Sequence, residues 1–276
     1  QYAKQYPDII KMIAVGNEAM VHWATSYFVP PSVILKWVNY LQELKIKGDL
    51  PSDLWITSSD DFAAWGGASD KYHTDDLFRL IAAVDFISMH TYAFHNSHYS
   101  PDYWYSRDPC LSKIEQIDTS MQRAGEFAIG QYNDVKQYIL SLGIDKPIHI
   151  GETGWATASN GFYGAEGSQA ADEYKAKKYY DHLRKWSNVN GVSCFYFEAF
   201  DEPWKDAENP MGSENHFGLF TVDGKAKYAL WSSVDNGIFS GLTRNGNTIE
   251  KTINGNEDKL LVSVLPPIAT KKDINK

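Results

Sequence analysis

The sequence has 276 residues, 43% hydrophobic and 22% charged, enough chain to bury one sizeable core. Its formal net charge of −9 argues against a nucleic-acid partner, because phosphate contacts need a Lys/Arg surplus. No apolar run approaches the ~20 residues that a membrane-spanning helix requires.

The opening residues, QYAKQYPDII, carry no initiator Met and no signal-peptide h-region. The first β-rich run, Ile9–Val15, delivers Gly16, Asn17 and Glu18 at its end. Pro31 and Gly48 bracket a helix expected over Ser32–Ile46. A second run, Leu54–Thr57, leads into Ser58, Ser59, Asp60 and Asp61, where Asp60 reads as a rim residue or a helix cap. A helix over Asp75–Ala83 precedes the third run, Val84–Met89, which ends in His90, Thr91 and Tyr92. Apolar residues at three- and four-residue steps predict a helix over Gly125–Leu142. The fourth run, Pro147–Ile150, delivers Gly151 and Glu152. A helix over Ser168–Trp186 precedes the fifth, Val192–Phe197, which runs into Glu198, Ala199, Phe200, Asp201 and Glu202. After Asp223 come Asn-Gly turns at 236, 245 and 254. These predict a last helix near Tyr228–Phe239, a small β-hairpin or appendage with short runs such as Lys259–Leu265, and a mobile tail over Ile268–Lys276.

Strands alternating with helices imply parallel pairing with crossover helices, hence an α/β fold. The strand runs are nearly continuous in apolar residues, as expected of strands covered on both faces. In such folds the carboxyl ends of the strands build the active site.

Two of those ends carry a glutamate. A strand can end in Glu simply because it has reached water. A pair of carboxyls, one held protonated and the other ionised, is also the equipment for cleaving a glycosidic bond. Asn17, directly before Glu18, suits a hydrogen bond to a sugar hydroxyl. Trp155, three residues after Glu152, offers an aromatic face to a pyranose ring. Trp204 follows Pro203 among charged residues and reads as a loop residue able to stack on sugar. Trp23, Trp65 and Trp104 are weaker instances of the same pattern.

Other chemistries find little support. His90, His95 and His98 cluster, but their spacing matches no standard zinc set and they read as loop or subsite residues. There is no Gly-x-Ser-x-Gly elbow and no phosphate-binding glycine loop. Of the two cysteines, Cys110 lies in a loop-like stretch and Cys194 in an apolar run, with no CxxC and no metal spacing.

The segments VGNEAM, MHTY, GETGW and FYFEAFDEPWK, the last followed by ENHFGLF, resemble glycoside hydrolase family 17. Its members are retaining β-1,3-glucanases and related transglycosylases on a (β/α)₈ TIM barrel. The resemblance covers roughly Ile9 to Phe220, and Ser88–Trp104 and Trp55–Gly67 look most like bacterial members acting on laminarin-type glucans. It implies Glu18 as acid/base at the end of strand 4, with Asn17 as its sugar-contacting neighbour. It implies Glu152 as nucleophile at the end of strand 7, with Tyr92 beside it. Glu202, Lys205 and Glu214 would lie near the active-site floor. Neither cofactor nor metal is implied. The partner would be a β-glucan, the chain a monomer, and the location secreted, periplasmic or cell-surface. Another retaining β-glucanase or mannanase, a transglycosylase and an inactive glucan-binding module stay open as alternatives.

Only 17 residues precede Glu18. Three earlier strands with their helices would take about 80–100 residues. The expectation is therefore a catalytic barrel portion over residues 1–240, covering strands 4–8, with residues 241–276 appended to it. Ile9–Val15 and Val192–Phe197 should then each keep an open edge.

Overall fold

The computed structural model describes residues 2–106 and 108–269. They form two compact units: residues 2–91, 129–152 and 191–195 in the first, and residues 92–106, 108–128, 153–190 and 196–269 in the second.

The first unit is built on a parallel sheet of strands β1 (Met12–Asn17), β2 (Trp55–Asp61), β3 (Ile87–His90), β4 (Ile148–Thr153) and β5 (Cys194–Tyr196), in the spatial order of the sequence. The last residue of β4 and of β5 falls in the second unit. The inner strands are enclosed, with all four residues of β3 and five of the seven in β2 buried. The outer strands differ from the fully covered runs expected. Met12 in β1 is 47% exposed and Phe195 in β5 is 55% exposed, because each strand pairs on one side only. The sheet is open and does not close into a barrel.

The helices of this unit include Pro31–Ile46 and Asp75–Ala83. The helix Pro31–Ile46 starts with Pro at its first position, where the missing N–H costs nothing, and buries Ile34 and Val38. The helix Asp75–Ala83 is capped by the Thr74 side chain, which accepts from Leu77 N–H, and its acidic first turn complements the helix dipole. It buries Leu77, Leu80 and Ile81.

The second unit has an aromatic core that includes Phe94, Trp104, Trp155, Tyr179 and Phe217. The long helix Lys113–Ser141, whose residues from Ile129 on are counted with the first unit, begins twelve residues before the expected Gly125. Gly125 sits within it because the His182 ring of the helix Glu173–Asn190 packs there, so that an added Cβ would lie 2.6 Å from the ring. The last helix expected near Tyr228–Phe239 is shorter, a 3₁₀ turn over Tyr228–Leu230 and an α-helix over Trp231–Asp235. The hairpin is present as β6 (Thr243–Arg244) and β7 (Asn247–Thr248), with the Asn245-Gly246 turn between them. The run Lys259–Leu265 is not part of a β element. It falls largely in a helix, Glu257–Ser263, capped by the Asn256 side chain on Lys259 N–H. Ile268 is buried rather than mobile, and residues 270–276 of the expected tail lie outside the described residues. Cys110 and Cys194 are both free thiols.

Candidate active site

The carboxyl ends of β1, β3 and β4 bring three side chains together in the first unit. Glu18 follows β1, His90 ends β3, and Glu152 lies in β4 directly opposite His90 in register. Their ligand atoms all lie within 4.8 Å of one another. His90 is 1% exposed and lies between the two carboxylates, its Nδ1 3.0 Å from Glu18 Oε1 and 3.9 Å from Glu152 Oε2. Its Nε2 is 2.6 Å from Ser59 Oγ, which in turn hydrogen-bonds Ser88 Oγ at 2.8 Å. Burial works against a charged imidazole here. The hydrogen bond with Glu18 and the charge of Glu152 outweigh it, so His90 is held above its ordinary value. A protonated ring donates Nδ1–H to Glu18 and Nε2–H to Ser59, which leaves the Ser59 hydroxyl to donate to Ser88.

The backbone of this cluster is specialised. Glu18 has φ +47°, in the left-handed region that non-glycine residues rarely adopt. Two contacts hold it there: Glu18 N–H donates to Ser59 O at 2.9 Å, and Met20 N–H donates to Asp60 Oδ2 at 2.9 Å. Gly151, just before Glu152, passes over the two serines so closely that a Cβ would lie 2.1 Å from Ser88 Oγ. The glycine thus lets the serine tier sit directly under the carboxylates.

Asp60 is fully buried, so it is a structural clamp on the Glu18 turn rather than a rim residue. Burial pushes its carboxyl up to about 6, partly offset by the Met20 and Asp61 amides. Asp61 is pushed up to about 7, again chiefly by burial, with the Ala63 amide opposing and Glu18 and Asp60 adding. Asp61's folded value lies above the ~3.9 of an unfolded Asp, so its ionisation costs stability. The cost is absent below the unfolded value, grows between about pH 4 and pH 7, and is full above that. Asp61→Asn should therefore raise the melting temperature at pH 7.5 and lose that advantage by pH 4. Thermal melts at both pH values check it, and an equal effect at both would refute the assignment.

Asn17 ends β1 and is exposed. Tyr92, Trp155, Glu202, Trp204, Lys205 and Glu214 fall in the second unit. Tyr92 meets His95 and Phe217 edge-on or tilted. Lys205 Nζ lies 3.2 Å from Glu202 Oε2 and 3.5 Å from Glu198 Oε2. Burial pushes Glu198 up to about 8; its hydrogen bond with Glu202 adds to the rise and the Lys205 ammonium opposes it. Trp204 is 69% exposed, and Glu214 is exposed in a 3₁₀ turn.

Trp155 needs correction as a sugar platform. It is 0% exposed, packed against Phe94, Trp104 and Tyr179, with its indole N–H donating to Ala170 O at 2.8 Å. Neither ring face is free. Trp65 and Trp104 are likewise fully buried, with their indole N–H groups on Ser88 O and Ser168 O, whereas Trp23 is 64% exposed. His90, grouped in the sequence with His95 and His98 as a loop or subsite residue, instead sits between the two carboxylates. Its position at the end of a strand, like Glu18 and Glu152, was the available signal. The two glutamates and His90 are also the group of donors among the described residues that could hold a metal ion.

A sequence profile for the BtgE/BtgC glycoside hydrolase domain matches residues 1–218. An endo-laminarinase from Formosa Hel1_33_131 is 62% identical in sequence, with a TM-score of 0.96 over 98% of this chain and 70% of its own. A glucan 1,3-beta-glucosidase of Arthroderma benhamiae is 39% identical over 89 residues, 29% of this chain and 27% of that protein. This chain thus spans well under two thirds of that curated relative. A family 17 β-1,3-glucanosyltransferase from Rhizomucor miehei superposes with a TM-score of 0.53 at 19% identity, over 82% of this chain and 67% of its own, a likeness of fold alone.

Proposed function

The chain belongs to the BtgE/BtgC glycoside hydrolase family, and from that membership we propose that it hydrolyses laminarin-type β-1,3-glucan with retention at the anomeric carbon. The observation that carries this reading is the approach of Glu18 and Glu152, whose facing oxygens lie within 4.8 Å of each other. Retaining enzymes hold their carboxyls ~5–5.5 Å apart, and inverting enzymes leave about 6.5–9.5 Å for a water. The spacing favours direct attack. The choice of glucan rests on likeness to the Formosa enzyme, an endo-laminarinase 62% identical to this chain.

In this mechanism Glu18 donates its proton to the glycosidic oxygen while ionised Glu152 attacks the anomeric carbon. The C–O bond to the leaving sugar breaks as the Glu152–carbon bond forms. Glu18 then takes a proton from water, whose oxygen displaces Glu152 and restores the original configuration. His90 orients Glu18 by donating Nδ1–H to its Oε1 at 3.0 Å, which leaves the other carboxyl oxygen, Oε2, to carry the proton that is given to the glycosidic oxygen. Asn17, Tyr92, Glu202, Trp204, Lys205 and Glu214 serve as substrate contacts in this proposal, on the strength of the family resemblance. A polymeric glucan as substrate supports a secreted, periplasmic or cell-surface location in this proposal; no helix among the described residues is long and apolar enough to cross a membrane.

The test is to digest laminarin, lichenan and cellulose with the full-length protein and follow product anomers by NMR from the first minutes. The expected result is cleavage of laminarin with β-anomers formed first. Initial α-anomers would overturn retention, and cleavage confined to cellulose would overturn the substrate assignment.

A further inference from the structure

A cavity of about 390 Å³ in the second unit has walls that include Glu198, Phe200, Glu202, Trp204, Val222 and Arg244. That volume lies within the ~300–1,000 Å³ usual for small-molecule sites. Val222 and Arg244 lie beyond residue 218, where the match to the family profile ends. One wall of the cavity is therefore built by a part of the chain that the family match does not include.

Three features make it a shaped site rather than a surface dimple. Arg244, on the hairpin strand β6, is pinned: its guanidinium lies 3.7 Å over the Phe200 ring, and its Nε–H donates to Val222 O at 3.0 Å. The turn at Gly224, with φ +93°, fits under it so tightly that a Cβ would lie 2.7 Å from Arg244 Cβ. Trp204 presents an open indole face, 69% exposed. Opposite in character, Glu198 Oε1 is a buried carboxyl oxygen with no hydrogen-bond partner among the described residues. Glu202 supplies the accessible carboxylate of these walls, its side chain 33% exposed.

Flat aromatic surface beside a directional acceptor and a fixed guanidinium suits a ring that is apolar on its faces and carries hydroxyls at its rim. With Glu198 pushed up to about 8 and so largely protonated at neutral pH, Asp201 and Glu202 still outnumber the one guanidinium on these walls, which disfavours an anionic ligand. We infer that the hairpin β6–β7 and the segment after β5 form an accessory binding site for neutral hexose units of the glucan, which raises affinity for long chains without taking part in bond cleavage. This inference rests on the glucan reading above. Glu202 and Trp204 already enter that reading through the family resemblance; Glu198, Phe200, Val222 and Arg244 are added by the cavity itself.

The test compares Arg244→Ala and Val222→Trp with the parent full-length protein on laminari-oligosaccharides of increasing length. One substitution removes the pinned cation and the other fills the cavity. KM for the longest substrates should rise roughly tenfold, the size expected from loss of one stacking or cation–π contact, with kcat unchanged and the shortest cleaved substrate unaffected. Unchanged KM at every length in Arg244→Ala, or a rise equal at all lengths, overturns the inference; Arg244→Ala alone decides if Val222→Trp does not fold. Calorimetric titration of laminarihexaose into Glu152→Gln protein, with and without Arg244→Ala, separates the two readings. If the parent cleaves no β-1,3-glucan but Arg244→Ala still weakens binding, the accessory site stands and the hydrolytic reading falls. If the parent cleaves laminarin and Arg244→Ala binds the hexasaccharide as tightly as its parent, the accessory site falls alone.

Discussion

Glu152→Gln is expected to reduce laminarin hydrolysis at least ~10³-fold while leaving the melting temperature nearly unchanged. The amide keeps the size of the side chain but cannot form the glycosyl ester. Glu152 is only partly buried, its side chain 26% exposed, so the substitution empties no core space. The stronger form of the test is Glu152→Gly with azide as external nucleophile. Azide can occupy the space left by the carboxylate, attack from the same face and yield a glycosyl azide of inverted configuration. Mass spectrometry and NMR of that product check the claim. Near-parental turnover by Glu152→Gln would place the nucleophile elsewhere, with Glu202 and Glu214 the next residues to test.

The second large effect concerns His90. His90→Phe should lower kcat about 100-fold with little change in KM, because it removes the hydrogen bond that orients Glu18 and the charge between two carboxylates. Removing a neighbouring positive charge disfavours ionised carboxylates. The acidic limb of the pH–rate profile should therefore move to higher pH. A defect of packing alone would lower the rate without moving that limb. His90→Asn can place an amide nitrogen near the Nδ1 position and should recover part of the rate. Parental kcat and an unmoved profile in His90→Phe would remove it from the mechanism.

The strands were legible because each is a compact apolar run, and β2 and β3 are enclosed as that pattern implies. The exposure of Met12 and Phe195 was not legible. Residues of an edge strand can be as apolar as those of an inner one, and which neighbour is present is a property of the sheet. The early start of the helix Lys113–Ser141 was obscured by Gly125, a poor helix former explained only by the His182 ring against it. In the candidate site, the two glutamates were readable from their strand ends. His90 was grouped with His95 and His98 by closeness in sequence, although those two lie in the helix Ala93–Tyr99. Trp155 shows the converse limit. Its motif fixes the place in the chain but not the direction of the ring, which the surrounding aromatics turn inward.

The left-handed backbone at Glu18 has a consequence for how this protein can be improved. A non-glycine residue there carries a conformational cost on the order of 1 kcal/mol, offset by the clamps from Ser59 and Asp60. Glycine adopts that conformation freely and Asn tolerates it better than most residues. Selection for heat resistance alone would accordingly favour Glu18→Gly or Glu18→Asn, the very changes that discard the proton donor. A thermostability screen on this scaffold would enrich inactive clones unless turnover is scored in the same round.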